Sequence, residues 1–399
     1  MKISSVICEF NPIHNGHEYL LRKMREGGAT HIVAIMSGNF TQRGEAAIFD
    51  KFTRASAALE CGADLVIELP VSFACSNAER FAYGGVYIAD ALGCIEELSF
   101  GSETADTLLL KKAADAVSSV KTEPELSRYL STGMTFAAAR QKAVEAVFGR
   151  EAAEILSQPN DILAVEYIKA LNKLGSAVSP SAVKRIGAGH DSFRAEGKTA
   201  SARNIRESYY RGDMSCMDYI PSHAADIFRN ARNQPCCSGR MSRLEPMMLY
   251  RLRTMTAGDI ARLPEIGEGL ENRIYEAVRS GTSISQITDK AKSKRYTRAR
   301  ISRIMTYALL GIEKQELPDA PEYIRILGMN SRGREILRHA RGRSTLPVIM
   351  RYADIEQGSG AEKMFIKESV CDDIYALSGM ETDICGRNYT AGIRMKLSD

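Results

Sequence analysis

Short apolar runs and amphipathic stretches alternate along the first half of this chain. Residues 3–8 read as a buried strand, and 18–26 as a helix with one apolar face. Strands recur at 30–36, 64–69, 97–100 and 182–186. Helical patterns occupy 50–61, 77–92 and 160–174, and three more, at 104–120, 123–130 and 136–148, follow the strand at 97–100. Strands alternating with helices predict a parallel sheet joined by right-handed crossovers. In such sheets ligands bind beyond the carboxyl ends of the strands. His14, Ser37, Gly38 and Gly101 all follow predicted strand ends, so they are expected to share one crevice.

After about residue 215 the pattern becomes helical, at 245–253, 269–280, 284–291, 297–310 and 332–340, with polar turns between. The predicted organisation is α/β: a parallel-sheet domain over 1–219, then a mainly α-helical domain over 220–399. A length of 399 residues suits two or three domains. Charge sharpens the division. Residues 220–399 carry 29 Lys/Arg against 22 Asp/Glu, whereas 1–219 carry 24 against 27. A near-neutral first part joined to a basic second part suggests catalysis in one and anion binding in the other. The nine cysteines form no Cys-x-x-Cys, which argues against a disulfide framework and against a structural zinc site. No apolar run approaches the about 20 residues that span a bilayer. Lys2 leads straight into a strand, without the pattern of a cleavable signal. The expected compartment is the cytoplasm, with no membrane partner.

The chemistry concentrates where the first strand ends, at Glu9-Phe10-Asn11-Pro12-Ile13-His14-Asn15-Gly16-His17. A strand turning sharply into a helix leaves backbone N–H groups aimed at whatever sits above the turn, a place that suits phosphate. Pro12 fixes the turn, and Gly16 lets a ligand approach the backbone. His14 and His17, three apart, fall on one helix face. The pattern His-x-Gly-His resembles the nucleotidyltransferase superfamily, which implies a Rossmann-like catalytic domain.

Weaker signals follow. Met36 to Glu45 is a polar, Gly-punctuated loop after a buried strand, suited to covering substrate. Lys51 and Arg54 could face a triphosphate or only solvent. Asn160 is placed to cap a helix or to read an adenine edge. Arg185 can clamp phosphate before the Gly187-Ala188-Gly189 turn. Ser201 and Arg206 resemble the superfamily's second signature, although Arg203 stands where Thr is usual. Between Asp289 and Arg303 lie Lys290, Lys292, Lys294, Arg295, Arg298, Arg300 and Arg303, with Tyr296 among them. That density, with an aromatic for stacking, points to RNA phosphate, and Thr297 is the expected cap of the next helix. A second cluster, Arg332, Arg334, Arg338, His339, Arg341 and Arg343, is less distinctive.

Together these motifs resemble the bacterial tRNA(Met) cytidine acetate ligases. The likeness runs through Glu9 to His17, Gln42-Arg43-Gly44-Glu45, Ala63 to Pro70, Phe100-Gly101-Ser102-Glu103, Lys184 to Gly189, Glu268-Gly269-Leu270-Glu271 and Lys294-Arg295-Tyr296-Thr297. The resemblance implies that ATP and acetate form acetyl-adenylate, and that the acetyl group passes to N4 of the wobble cytidine of elongator tRNA(Met). It implies His14 and His17 as catalytic residues. ATP contacts are implied at Ile7, Cys8, Glu9, Phe10, Asn11, Pro12, Ile13, His14, Asn15, Gly16, His17, Glu18, Tyr19, Leu20, Gly101, Asn160 and Arg185. It implies Mg²⁺ accompanying ATP, with no metal cage built from protein alone. The basic segment, through Lys292, Lys294, Arg295 and Arg298, is expected to hold tRNA. Departures are Ser5 for a frequent Gly, Asp161 for a second Asn and His190 for Tyr. Two competing readings are an adenylyltransferase that builds a dinucleotide-type cofactor, and a non-catalytic RNA-binding protein with a retired nucleotide site.

Overall fold

The computed structural model describes residues 1–185, 200–232, 234, 238–267 and 269–396. The Gly187-Ala188-Gly189 turn, His190, Cys236, Cys237 and Glu268 lie outside these residues. Five strands, β1 (Ile3–Cys8), β2 (His31–Ser37), β3 (Leu65–Leu69), β4 (Glu97–Ser102) and β5 (Ser179–Lys184), pair in parallel in the order β5-β4-β1-β2-β3. The predicted crossovers are present: α1 (Asn15–Glu26) and α2 (Lys51–Glu60) follow β1 and β2. Strands β1, β2 and β3 are buried on both faces, which is why they read as continuous apolar runs. One core packs each face of the sheet. Ile7, Ile35, Ile67 and Phe81 belong to one, and Ile13, Ile32, Phe49 and Phe228 to the other.

The second part of the chain is not spatially separate. Ile324–Met329 forms β6, which pairs antiparallel with β3. Val348–Ile349 (β7) and Arg394–Met395 (β8) cover the outer edge of β6. The segments divided at 219 therefore share one sheet. They also share a third core, where Phe40, Ala46, Val71 and Cys75 pack against Leu244, Ile274, Ile304 and Tyr307 of the helices. The expected helices are otherwise present, as Met241–Thr254, Leu270–Ser280, Ile284–Ala291, Arg298–Leu310 and Ser331–Ala340. The helix Gly360–Ala376, which the pattern leaves unassigned, is their neighbour: Cys371 and Tyr375 join the same core.

The device that fastens this C-terminal part is ionic. Lys51, fully buried, donates to Glu68 Oε1 of β3 at 2.6 Å and to Asn388 Oδ1 at 2.8 Å. It also pairs with Asp372 Oδ2 of the Gly360–Ala376 helix at 2.6 Å. Arg325 of β6 donates to the Asn388 side chain at 2.5 Å and lies 3.5 Å from Glu68 Oε2. Two cations thus meet two carboxylates away from water, and Lys51 faces neither triphosphate nor solvent. Such a cluster is held by its completeness, because removing one partner strands the rest. Lys51→Met should cost about 3–5 kcal/mol, the usual penalty for breaking a buried pair from one side. Adding Glu68→Gln to that variant should recover much of the loss, read as a shift of the denaturant midpoint.

Candidate active site

The turn after β1 is held from three sides. Arg54 of α2 is fully buried and donates to Glu9 O at 2.6 Å, Ser37 O at 3.0 Å and Phe49 O at 2.9 Å, and to Gly38 O as well. Asn11 Oδ1 accepts from Ile48 N at 2.8 Å, and Arg206 Nη1 donates to Asn11 O at 2.8 Å. Phe10 takes a left-handed backbone, φ 44°, and its ring meets the edge of His17 with centroids 5.1 Å apart. Tertiary packing holds a conformation that a bulky residue adopts at a cost.

His14 caps α1. Its Nδ1 accepts from Gly16 N at 3.1 Å, while His14 N donates to His17 Nδ1 at 3.3 Å. The two rings stack with centroids 3.7 Å apart. A nitrogen that accepts carries no proton, so each imidazole is neutral with its proton on Nε2. Both rings line the cavity and present N–H donors at a helix N-terminus. A Cβ on Gly16 would stand 3.0 Å from His14 Cε1 and crowd the ring.

The cavity has a volume of about 430 Å³. Of the residues expected at ATP, Ile7, Cys8, Glu9, Phe10, Asn11, His14, Gly16, His17, Tyr19, Leu20, Gly101, Asn160 and Arg185 line it. Pro12, Ile13, Asn15 and Glu18 do not. Ile13 is buried in the core beneath the turn, and Pro12 is buried with it. Asn15 and Glu18 sit on another side of α1, where Asn15 reaches Asp218 O at 3.5 Å and Glu18 reaches His223 at 3.1 Å. Ser37 and Gly38 also miss the crevice: Ser37 is fully buried and their carbonyls are taken by Arg54.

The far wall is assembled by Glu103 and Asp161. Asn160 Nδ2 donates to Glu103 Oε1 at 2.5 Å, and Arg185 Nη1 to Asn160 Oδ1 at 3.4 Å. Asn160 is not the helix cap, since the helix Pro159–Leu174 already includes it. Its amide instead orients Arg185, whose Cγ would lie 3.2 Å from a Cβ on Gly101. Burial draws the Arg185 guanidinium below its usual range, with Glu103 opposing. Asp161 accepts from Ser102 Oγ at 2.5 Å, Glu103 N at 2.9 Å and Thr104 Oγ1 at 2.6 Å, so it closes the turn after β4.

The sequence pattern does not single out the apolar walls Phe81, Ile162, Leu163 and Tyr167, which look like ordinary core positions; Phe100, from the motif that ends β4, joins them. The Gln42–Arg43 loop does reach the cavity. It is fastened below by Gly44, φ +74°, where a Cβ would meet Arg303 N at 2.7 Å, and by Thr306 Oγ1 donating to Gly44 O at 2.8 Å. The basic segment therefore leads by one helix, Arg298–Leu310, to the cavity loop. Ser201 caps the helix Ala202–Tyr210 by accepting from Asn204 N at 3.1 Å.

The basic segment itself divides. Lys292, Lys294, Arg295 and Arg298 are exposed, and Arg298 pairs with Asp289 at 2.6 Å. Arg303 is buried against Glu265 at 2.7 Å, and Arg300 donates to Glu265 O at 2.6 Å. Tyr296 is only 8% exposed, donates to Gly267 O at 3.3 Å and carries Arg300 over its ring. It packs the segment and is not available for stacking on a base. Thr297 caps the helix as expected, accepting from Arg300 N at 3.3 Å.

Comparison with known proteins agrees with this architecture. Residues 1–387 match the HIGH Nucleotidyl Transferase family. A tRNA(Met) cytidine acetate ligase of Thermoanaerobacter sp. (strain X514) is 38% identical over 396 residues, covering 98% of each chain. That of Caldanaerobacter subterraneus subsp. tengcongensis is 38% identical over 387 residues, 95% of this chain and 96% of its own. The crystal structure of apo Thermotoga maritima TmcAL superposes with a TM-score of 0.95 at 30% identity, covering 100% of both chains. The same protein bound with alpha-thio ATP gives 0.92 at 29% identity, again over 100% of both. With the His14–His17 turn, the sheet order and the full-length likeness in agreement, the chain belongs to the tRNA(Met) cytidine acetate ligase family of HIGH nucleotidyltransferases.

Proposed function

We propose that this chain is an ATP-dependent ligase that converts acetate to acetyl-adenylate and transfers the acetyl group to N4 of the wobble cytidine of elongator tRNA(Met). The observation that carries the reading is the stacked His14–His17 pair, two neutral Nε2–H donors beside the N-terminus of α1 in a nucleotide-sized cavity. Small-molecule sites usually enclose about 300–1,000 Å³.

When an acetate oxygen attacks the α-phosphorus, pyrophosphate leaves and charge builds on the α-phosphoryl oxygens. Fixed donors aimed at that charge lower the barrier without reorganising. His14 and His17 supply them, aided by the amides of α1. Arg185 and Asn160 flank the adenosine end. Ser201 and Arg203, at the start of the Ala202–Tyr210 helix, suit the departing pyrophosphate. The Glu9, Gln42 and Arg43 side is left for the acyl acceptor. Glu9 is the only carboxylate among the described lining residues. The Glu18, Cys61 and His223 cluster, whose ligand atoms lie within 4.8 Å of one another, belongs to another surface. With one carboxylate among the described lining residues, the cavity suits an Mg²⁺ that arrives on the triphosphate and keeps its waters. A cofactor-building adenylyltransferase has no need of the exposed cations at Lys292, Lys294, Arg295 and Arg298. These would hold tRNA backbone. Among the described residues no helix is long and apolar enough to cross a membrane, and the described cysteines are unpaired thiols. A tRNA substrate and reduced thiols suit the cytoplasm.

Acetate-dependent ATP–pyrophosphate exchange tests the reading. His14→Ala and His17→Ala should each lower that exchange by about a hundredfold or more, the usual effect of removing one transition-state donor. The melting temperature should stay near that of the parent. Near-normal exchange in either folded variant refutes the assignment.

Replacing Lys292, Lys294, Arg295 and Arg298 together by Gln should weaken tRNA binding. The slope of log K against log salt should become shallower by about 3, roughly one condensed counterion per phosphate contact. Exchange without tRNA should persist. Titration of tRNA at several salt concentrations reads the slope, and an unaltered slope removes these residues from the tRNA contact.

A further inference from the structure

Transfer to cytidine needs something that adenylation does not. As N4 attacks the acetyl carbonyl carbon, the new N–C bond forms and the C–O bond to the phosphate of AMP breaks. AMP leaves with that electron pair, and N4, which started with two hydrogens, must lose one as a proton. The stacked imidazoles cannot take it, because each Nδ1 is engaged by a backbone N–H and each Nε2 already carries hydrogen. The Tyr167 phenol and the Cys8 thiol are pushed further toward their protonated forms by burial.

We propose that Glu9 is the base that accepts the N4 proton of the acceptor cytidine during acetyl transfer. The proposal rests on the acetate-ligase reading of the cavity. Glu9 directly follows the last residue of β1 and lines the cavity, half-buried, so that its carboxylate is open to substrate yet walled by protein. Its orientation is fixed at two points. Gln42 N donates to Oε1 at 2.8 Å, and Arg54 holds the Glu9 carbonyl at 2.6 Å. Burial raises its carboxyl above the ordinary range, outweighing Arg206 and Arg43, while Glu45 adds to the rise. Arg54, Tyr167, Cys8 and Cys75 also feel its charge, and His14 and His17 line the same cavity. A carboxylate moved toward neutrality is a better proton acceptor at working pH.

A separate observation gives the direction of approach. The exposed cations at Lys292, Lys294, Arg295 and Arg298 stand at the start of the helix Arg298–Leu310. That helix seats Gly44 through Thr306, and the same loop supplies the Gln42 N–H that holds Glu9. A tRNA held on those cations reaches the cavity on the Glu9 side, away from Gly101 and Arg185.

The test separates the two half-reactions in the full-length protein. Acetate-dependent pyrophosphate exchange reports adenylation. A single turnover of preformed acetyl-adenylate with tRNA(Met) reports transfer. Glu9→Gln keeps an acceptor for the Gln42 N–H but holds no negative charge. Transfer should fall by about a hundredfold or more, typical of a lost general base. Exchange should fall far less, so the ratio of exchange to transfer rises by a similar factor. The KM for tRNA should move little, and Glu9→Asp should recover part of the transfer rate. Transfer that survives in Glu9→Gln overturns the proposal and leaves the proton to the departing phosphate. Equal loss of both half-reactions in Glu9→Gln and Glu9→Asp overturns it also, making Glu9 a structural residue. Absence of acetate-dependent exchange in the unaltered protein refutes the acetate reading itself, and the proposal falls with it.

Discussion

One buried guanidinium sets the geometry of the site. Arg54 reaches from α2 across the carboxyl ends of β1 and β2, and its donors end on the carbonyls of Glu9, Ser37, Gly38 and Phe49. Ser37 ends β2, while Glu9, Gly38 and Phe49 lie outside the strands, and the guanidinium supplies donors to all four of these carbonyls where water is scarce. Burial draws its pKa down, yet Arg keeps its charge in proteins, and four backbone dipoles face it in place of water. With both strand ends pinned, Glu9, His14 and His17 are delivered to the cavity from a fixed turn. The neutral state of the imidazoles follows from the same fixation, because backbone N–H groups and not carboxylates occupy their Nδ1 atoms.

A second constraint joins the parts of the chain that composition separates. The Lys51 cluster ties α2 and β3 to β6 and to the C-terminal helix Gly360–Ala376. Nearby, Tyr375 Oη donates to Ala47 O at 2.9 Å and Asn39 Nδ2 to Asp372 Oδ1 at 2.8 Å. The loop that carries Gln42 and Arg43 is thus gripped between Arg303 and Thr306 on one side and the C-terminal helix on the other. The helices that bear the exposed cations and the loop that reaches the cavity are one packed unit.

Much of this was legible in the residues. The apolar periods placed β1 to β5 and most helices. The spacing of Pro12, His14, Gly16 and His17 marked the turn that lines the cavity, because the cap and the imidazole pair depend on a local stretch of backbone whose partners are two or three residues away. Caps at Ser201 and Thr297 were likewise local. The boundary of α1 shifted to Asn15 because His14, a residue rarely used as a cap, serves as one.

What the sequence by itself determined is therefore what short-range physics controls: strand and helix periods, the turn, the imidazole pair and the uneven charge. Tertiary structure decided the rest. Lys51 and Arg54 look alike on a helix start and could have faced a ligand, but only three-dimensional packing shows Lys51 buried against Asp372 and Asn388 and Arg54 against the carbonyls of Glu9, Ser37, Gly38 and Phe49. Strand β6, with Arg325 as its second residue, reads as a strand only beside Glu68 and Asn388, which neutralise and hydrogen-bond that guanidinium. Tyr296 and Arg300 belong to an evident basic run, yet their hydrogen bonds to the carbonyls of Gly267 and Glu265 withdraw them from it. A side chain's charge is written in the sequence. Whether that charge faces water, a ligand or another buried charge depends on contacts hundreds of residues away, and no local period encodes them.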